Sequence, residues 1–238
     1  MYLKEFDIGL LITPCEEELS DIISKYSLSR LEATHYWYKN VGNWINRNFS
    51  LENRCVFSFY ERIFKKINIS DFWKVYIIVT SEKIEKSIIC SGGVCSVYLT
   101  YDYQKFYNLN QSEKKIKSLE LLMSGLKIVS DNYNVSYDYF KKFEQEIIDL
   151  NYENCWIWKK KHRGKKAAQL QVMHDIHNVS LEFSVFNSEK EKLKCFLIQI
   201  DKPDEWNYAK YLGNIKWITS EKVIWYDQNG LVIKEFDF

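Results

Sequence analysis

The stretch Val179-Ser180-Leu181-Glu182-Phe183-Ser184-Val185-Phe186 decides how the last third of this 238-residue chain folds. Its odd-numbered positions are all apolar, whereas three of its four even-numbered positions are polar. Because successive side chains of a strand point to opposite faces of the sheet, this alternation is typical of a strand with one buried face. The stretch therefore predicts an antiparallel sheet that is covered on one side.

Further strands are predicted on both sides of this stretch, separated by short polar joints. They span residues 155–160, 167–173, 193–200, 216–219, 223–226 and 231–236. Asp227-Gln228-Asn229-Gly230 supplies a hairpin turn before the last of them. Segments that follow one another through short turns form a meander, so the C-terminal third is predicted to be mostly antiparallel β.

The first 150 residues mix both kinds of element. Strands are predicted over 4–12 and 73–80, and a hairpin over 87–90 and 94–100 around Ser91-Gly92-Gly93. Thr13 followed by Pro14 predicts the start of a first helix. Apolar residues at helical spacing predict two more helices, over 112–130 and 135–150, which form a helical hairpin. Residues 30–70 are compatible with either strand or helix.

These patterns predict the α+β class: antiparallel, meander-like sheets with a central helical hairpin packed against them. The chain is expected to form one compact domain or two closely joined halves. The halves would be about 1–150, mixed α/β with the helical hairpin, and about 151–238, mostly antiparallel β.

Composition restricts the function classes. Basic and acidic residues number 33 and 32, which argues against a surface built throughout for nucleic acid or an anionic membrane. No terminal stretch resembles an export signal and no run of 18 apolar residues occurs, so we expect a cytoplasmic protein without a membrane span. The six cysteines are widely spaced apart from Cys90 and Cys95, and without an export signal they are expected to be reduced thiols.

No sequence motif indicates catalysis or a cofactor. His174 and His177 would diverge on a strand, and zinc needs three or four placed ligands, so no metal site is predicted. Cys90 and Cys95 lack the spacing of redox or zinc modules and are interpreted as two thiols that flank a glycine turn. We predict neither catalytic residues nor a cofactor, with an enzyme site assembled from distant residues as an alternative.

Two features are candidates for binding. The run from Lys159 to Lys166 holds six basic residues in eight positions and would form a protruding tip if a hairpin turns at Arg163-Gly164. Such a tip suits phosphates or an acidic partner, although a solvated turn whose lysines discourage aggregation at a sheet edge is the alternative. Trp and Tyr are frequent in binding hot spots. The predicted binding residues are Lys159, Lys160, Lys161, Arg163, Lys165, Lys166, Trp206 and Tyr208.

The functional hypothesis is a non-catalytic protein-binding module, an immunity- or antitoxin-like protein that blocks a cognate toxin. Its partner would be a protein, and membrane is not expected. The alternative is a nucleic-acid-associated protein that uses the basic turn over 159–166. Cations beside aromatic rings would suit single-stranded nucleic acid. The oligomeric state stays open.

Overall fold

Two units make up the chain in the computed structural model, which describes residues 1–69 and 71–238. The units are Met1–Tyr152 and Glu153–Phe238, and each encloses its own cluster of buried apolar side chains. The predicted α+β class is confirmed, with several antiparallel strand pairings and a helical hairpin. In the described residues, no helix is both long and apolar enough to cross a bilayer.

The N-terminal unit contains a four-stranded sheet and a separate two-stranded one. The six strands are β1 (Tyr2–Leu3), β2 (Glu5–Leu10), β3 (Ile67–Asn68), β4 (Lys74–Thr80), β5 (Ile88–Ser91) and β6 (Val94–Thr100). In the larger sheet the order is β2-β4-β6-β5, and the pairs β2–β4 and β4–β6 are parallel. These parallel pairs add to the antiparallel pairing predicted from the sequence. The β2–β4 pair can be parallel because a long helical segment connects the two strands, and the β4–β6 pair can be parallel because β5 lies between them in the chain and turns back into β6.

The helices of this unit are α1 (Glu16–Tyr26), α2 (Arg30–Trp37), α3 (Asn43–Ile63), α4 (Tyr103–Tyr107), α5 (Gln111–Asn132) and α6 (Tyr137–Asp149), with a π-helical turn over Tyr38–Gly42. Of these helices, α5 packs on β4 and β6 and α3 lies against β2. The hairpin of α5 and α6 confirms the prediction, and the undecided segment is mainly helical. The predicted start of α1 is wrong: its N-cap is Cys15, whose N–H donates to the Glu18 carboxylate, while Thr13 donates its hydroxyl hydrogen to Glu82.

Polar side chains of α3 satisfy the free edge of β2. The Leu10 N–H donates to Asn46 Oδ1 at 2.7 Å, and Ser50 Oγ donates to the Ile8 carbonyl oxygen at 2.6 Å. A strand at the edge of a sheet otherwise presents unpaired backbone groups to any other strand. Because residues four apart lie on the same face of a helix, α3 can follow the edge and bond to alternate strand residues.

The same helix face continues with an ion pair. Arg54 donates to the Phe6 carbonyl oxygen at 3.1 Å, and the Phe6 N–H donates to Glu61 Oε1 at 2.8 Å. Arg54 and Glu61 bond to each other at 2.5 Å, and both side chains are about four-fifths buried. Both backbone groups of one strand residue are therefore paired with a largely desolvated arginine–carboxylate pair.

We expect Glu61→Ala to lower the free energy of unfolding by about 2–3 kcal/mol, because it leaves Arg54 and the Phe6 N–H without this partner. Urea unfolding followed by circular dichroism measures the change. Glu146→Ala, an exposed position on α6, serves as the control and should change stability by less than about 0.5 kcal/mol. Equal effects of the two substitutions would contradict the role of α3 at the strand edge.

The C-terminal unit consists of two antiparallel sheets. The strands are β7 (Asn154–Arg163), β8 (Lys166–His174), β9 (Val179–Phe186), β10 (Lys192–Ile200), β11 (Asn214–Trp217), β12 (Lys222–Tyr226) and β13 (Val232–Asp237). The orders are β10-β9-β8-β7 and β11-β12-β13, so the predicted meander is confirmed and β9 has the predicted bounds. The short helix α7 (Glu205–Tyr208) and a 3-10 turn (Ala209–Tyr211) connect the sheets.

The odd-numbered side chains of β9 form the core between these two sheets. Phe183 is fully buried and stacks on Phe236 of β13, with ring centroids 5.1 Å apart. Trp225 of β12 is also fully buried, at 5.7 Å from the Phe183 ring. The even-numbered side chains of β9 consequently face the other side of the four-stranded sheet, which we call the outer face.

Candidate functional site: a basic cleft between two hairpin ends

The basic run of the sequence forms the end of the β7–β8 hairpin. Arg163 pairs with Lys166 across a two-residue turn of Gly164 and Lys165. Gly164 has φ of +56°, a conformation that a residue with a Cβ rarely adopts, so glycine permits the tight turn. The turn lies one residue beyond the predicted position, and the basic tip exists as the sequence indicated.

Strand alternation divides the basic residues between the two faces of the sheet. Lys161 lies opposite Ala168, a core residue, and therefore points to the core-side face. Its carbonyl oxygen accepts a hydrogen bond from Trp217 Nε1 at 3.1 Å. Lys159 is on the same side and donates to Asn214 Oδ1 at 3.3 Å. These two lysines lie against the smaller sheet rather than on the outer face.

Two more residues of the basic run, Lys166 and Arg163, lie on the same core-side face as Lys159 and Lys161. Lys166 Nζ lies 4.6 Å from the centroid of the Phe238 ring and donates to the Ser220 carbonyl oxygen at 3.4 Å. Arg163 lies directly opposite Lys166 and shares its side of the hairpin. Of the six predicted basic binding residues, Lys160 and Lys165 remain, and both line a cleft on the outer face.

This cleft has a volume of about 490 Å³, within the range of small-ligand sites. One cross-strand row, Phe186–Ala167–His162, runs along its floor. Ala167 is small and its neighbours in the row are large, so the sheet surface is depressed at this point. Ten residues line the basic cleft: Lys160, His162, Gly164, Lys165, Ala167, Gln169, Phe186, Asn187, Ser188 and Lys190.

The lining is positively charged. Lys160, Lys165 and Lys190 surround the opening together with His162, and none of the described lining residues is acidic. Gln169, Asn187 and Ser188 add neutral hydrogen-bonding groups. An anionic group that enters the basic cleft would therefore meet ammonium groups and amide or hydroxyl groups together, above the ring of Phe186.

The β9–β10 loop, residues 187–191, closes the basic cleft on its second side. Asn187 Oδ1 accepts from the backbone N–H groups of Glu189 and Glu191, both at 2.9 Å, and its amide donates to the Glu191 carboxylate at 2.8 Å. Lys190 has φ of +64° at the tip of this loop. One side chain thus organises the turn, and Glu191 is held by it.

An ion pair separates the basic cleft from the rest of the outer face. Glu182 Oε1 accepts from Lys192 Nζ at 2.6 Å and from Ser184 Oγ at 2.5 Å. Partial burial opposes ionisation of Glu182, yet the hydrogen bonds from Lys192 and Ser184 outweigh it and lower the pKa of this carboxyl group. The hydrogen bond to Glu182 likewise raises the pKa of Lys192. The charge of Lys192 is therefore compensated by Glu182, and the lysines that line the basic cleft are Lys160, Lys165 and Lys190.

The two aromatic candidates have different environments. Trp206 on α7 is 90% exposed. Tyr208 is only 3% exposed and packs edge-on against the His174 ring, at 5.9 Å between centroids. Tyr208 is thus a core residue of the C-terminal unit, and Trp206 is the member of this pair that offers a contact surface.

Sequence reasoning missed the second wall of the basic cleft. Phe186, Asn187, Ser188 and Lys190 were not among the predicted binding residues. The available signal was the pairing of β8 with β9, which places the β9–β10 loop beside the basic hairpin. His174 is buried and His177 lies in an exposed turn; among the described residues, no three His, Cys, Asp or Glu side chains group as metal ligands would.

No protein-family model matches this sequence, and no curated protein and no solved structure resembles it closely enough to indicate a relationship. The geometry and charge of the basic cleft are therefore the features that indicate a function.

Glu182 should give the C-terminal unit a measurable acid dependence. A carboxyl group whose folded pKa is lowered contributes stability above its unfolded pKa and loses that contribution as the pH falls through the folded pKa. We expect Glu182→Gln to cost about 1 kcal/mol of unfolding free energy at pH 7. The difference from the wild type should shrink below about pH 4.5, the ordinary pKa of this group. Urea titrations at pH 7, 5 and 3 measure it, and a pH-independent difference would contradict the ion-pair account.

Proposed function

We propose that this chain is a binding protein whose C-terminal unit holds an anionic segment of a protein partner in the basic cleft. The observation that carries the proposal is the convergence of Lys160, Lys165 and Lys190 on a recess floored by Phe186 and Ala167. Recognition sites combine a concave, partly apolar surface with a few placed polar groups, and this cleft has both. The side chains of glutamate and aspartate and the carboxylate of a C-terminus carry the negative charge that complements these lysines.

The extent of the charge favours a protein over a nucleic acid. Proteins that bind single strands place cations along a groove that follows the phosphate backbone. Here Lys160 and Gln169 form one cross-strand pair on the outer face. The next pair on that face, Gln171 and Glu182, adds no free cation, because Glu182 is paired with Lys192. A local group of cations suits one or two carboxylates better than a continuous phosphate chain.

Single-stranded nucleic acid is the second candidate. It is favoured by Phe186, whose ring lines the basic cleft among the three lysines. A base could stack on such a ring while its phosphate contacts the ammonium groups, an arrangement that tolerates many sequences. The two candidates differ in what the same residues would contact, so one binding experiment with two probes can separate them.

As the biological setting, we propose an immunity- or antitoxin-like role in the cytoplasm. A protein of that kind acts by covering the active surface of a toxin, and the proposed contact would direct the basic cleft at an acidic part of that surface. Trp206 would provide a second contact, because exposed tryptophans are frequent energetic hot spots in protein interfaces.

A matched pair of double variants tests the proposal. Lys160→Glu/Lys165→Glu reverses two charges at the basic cleft, whereas Lys161→Glu/Arg163→Glu reverses two charges on the core-side face of the same hairpin. Fluorescence anisotropy would measure binding of labelled oligoglutamate and of labelled oligothymidylate of equal net charge at fixed ionic strength. We expect the cleft variant to bind oligoglutamate at least about tenfold more weakly than the control variant, because hydrogen bonds to charged groups contribute about 1.5 kcal/mol or more each.

Other outcomes have defined meanings. Tighter binding of oligothymidylate that is lost only in the cleft variant would favour nucleic acid. Equal affinities of the two variants, or no binding of either probe to the wild type, would contradict the basic cleft as the site. A pull-down from native extract, run with and without nuclease, would identify the partner. Under the proposal, retention of that partner should depend on Lys160 and Lys165, as binding of oligoglutamate does.

A further inference from the structure

We infer that Cys90 and Cys95 form an oxidant-sensitive dithiol site, which a small disulfide such as oxidised glutathione converts to an intramolecular disulfide. The two residues lie directly opposite each other in the β5–β6 hairpin, next to the turn of Gly92 and Gly93. All six cysteines are free thiols in the structure. The site lies in the N-terminal unit and is independent of the basic cleft.

The hairpin register places the two thiols in the close type of cross-strand pair. The Tyr98 N–H donates to the Ser87 carbonyl oxygen at 2.9 Å, so this pair is hydrogen-bonded. Hydrogen-bonded and non-hydrogen-bonded pairs alternate along an antiparallel ladder, which makes Cys90 and Cys95 a non-hydrogen-bonded pair. In such pairs the Cα atoms are about 4.5 Å apart, within the range that a disulfide bridges.

The side chains face each other as this register requires. The Tyr133 hydroxyl donates to Cys90 Sγ at 2.8 Å, and the neighbouring Cys90 thiol is one of the groups that raise the pKa of the Cys95 thiol. Because the two cysteines are cross-strand partners, both thiols lie on the same side of the hairpin. Tyr133, at the C-terminal end of α5, contacts Cys90 on that side. Bond formation requires no change of register in this hairpin.

The two thiols differ in accessibility, which sets the order of the steps. Cys90 is half-buried, whereas Cys95 is fully buried. Burial, and then the neighbouring Cys90 thiol, raises the pKa of the Cys95 thiol. Cys90 is accordingly the residue that meets an external reagent, and Cys95 is the residue that completes the bond.

The chemistry is thiol–disulfide exchange in two steps. The Cys90 sulfur, having lost its proton, attacks one sulfur of oxidised glutathione, which breaks the glutathione disulfide and releases one glutathione thiolate. Cys95 then attacks the Cys90 sulfur, and the second glutathione leaves. The two protons of the protein thiols end on the two released glutathione molecules. The protein dithiol is oxidised by two electrons and one glutathione disulfide is reduced.

Trypsin provides a direct test on the native, full-length protein, because residues 87–105 contain both cysteines and no internal Lys or Arg. The protein is incubated with rising oxidised glutathione, quenched with acid, alkylated in denaturant and digested. We expect this peptide to become lighter by two hydrogen atoms and resistant to alkylation, and to revert with dithiothreitol. Closed peptide should exceed its open glutathione adduct at least about tenfold, because the second thiol is already in place.

Exposed Cys15 and Cys195 are internal controls that should show only the glutathione adduct. The oxidant is raised until Cys15 is modified. At that concentration, a fully alkylated 87–105 peptide, or one that keeps glutathione on Cys90 without closing, would overturn the inference. In variants, Cys95→Ala should retain glutathione on Cys90, whereas Cys90→Ala should leave Cys95 unmodified. The wild-type result decides the question even if a variant fails to fold.

Discussion

The contact of α3 with the free edge of β2 is the constraint on which the N-terminal unit depends. An edge strand with open backbone groups can pair with another chain, and here Asn46, Ser50, Arg54 and Glu61 satisfy those groups instead. The helix can run along the edge only if the chain leaves β2, forms its helices and returns. The next strand of this sheet, β4, therefore enters on the other side of β2 and parallel to it. Further strands can be added only beyond β4, which explains the order β2-β4-β6-β5.

The C-terminal unit depends on the alternation of β9. Its apolar side chains fix which face of the sheet packs against the smaller sheet. The strand register then determines which side chains of the neighbouring strands point to that face and which point to the outer face. This register forms the floor of the basic cleft, because it aligns Phe186, Ala167 and His162 in one row on the outer face. It also sends Lys159 and Lys161 to the other side. A shift of one residue in the β7–β8 register would exchange the two groups of lysines, so the specificity of the candidate site derives from the core.

Physical reasons separate what the sequence predicts from what it does not. Period-two alternation and turn residues are local signals, and they place all the strands of the C-terminal unit. The segment that forms α3 is rich in aromatic, Asn and Ser residues, which have modest helix propensity, so its helix depends on packing of side chains such as Phe49 and Phe57. In the sequence, the α3 residues that bond to the backbone of β2 look like the polar face of a solvated helix. Only the position of β2 beside this helix distinguishes the two cases. Likewise, Asn187 and Lys190 join the basic cleft only through strand pairing, which a local pattern does not record.

The division of the basic run also bears on the choice of ligand. Six basic residues in sequence suggest one strong cluster, but four of them lie on the core side, where Lys159 and Lys166 already have partners. The cations left at the basic cleft repel one another and have no acidic lining residue among the described ones to offset them. An anion that enters removes this repulsion, and it does so in a recess partly shielded from water by Phe186. A compact anionic group gains most there, which is the physical reason for proposing carboxylates of a protein partner rather than an extended polyanion.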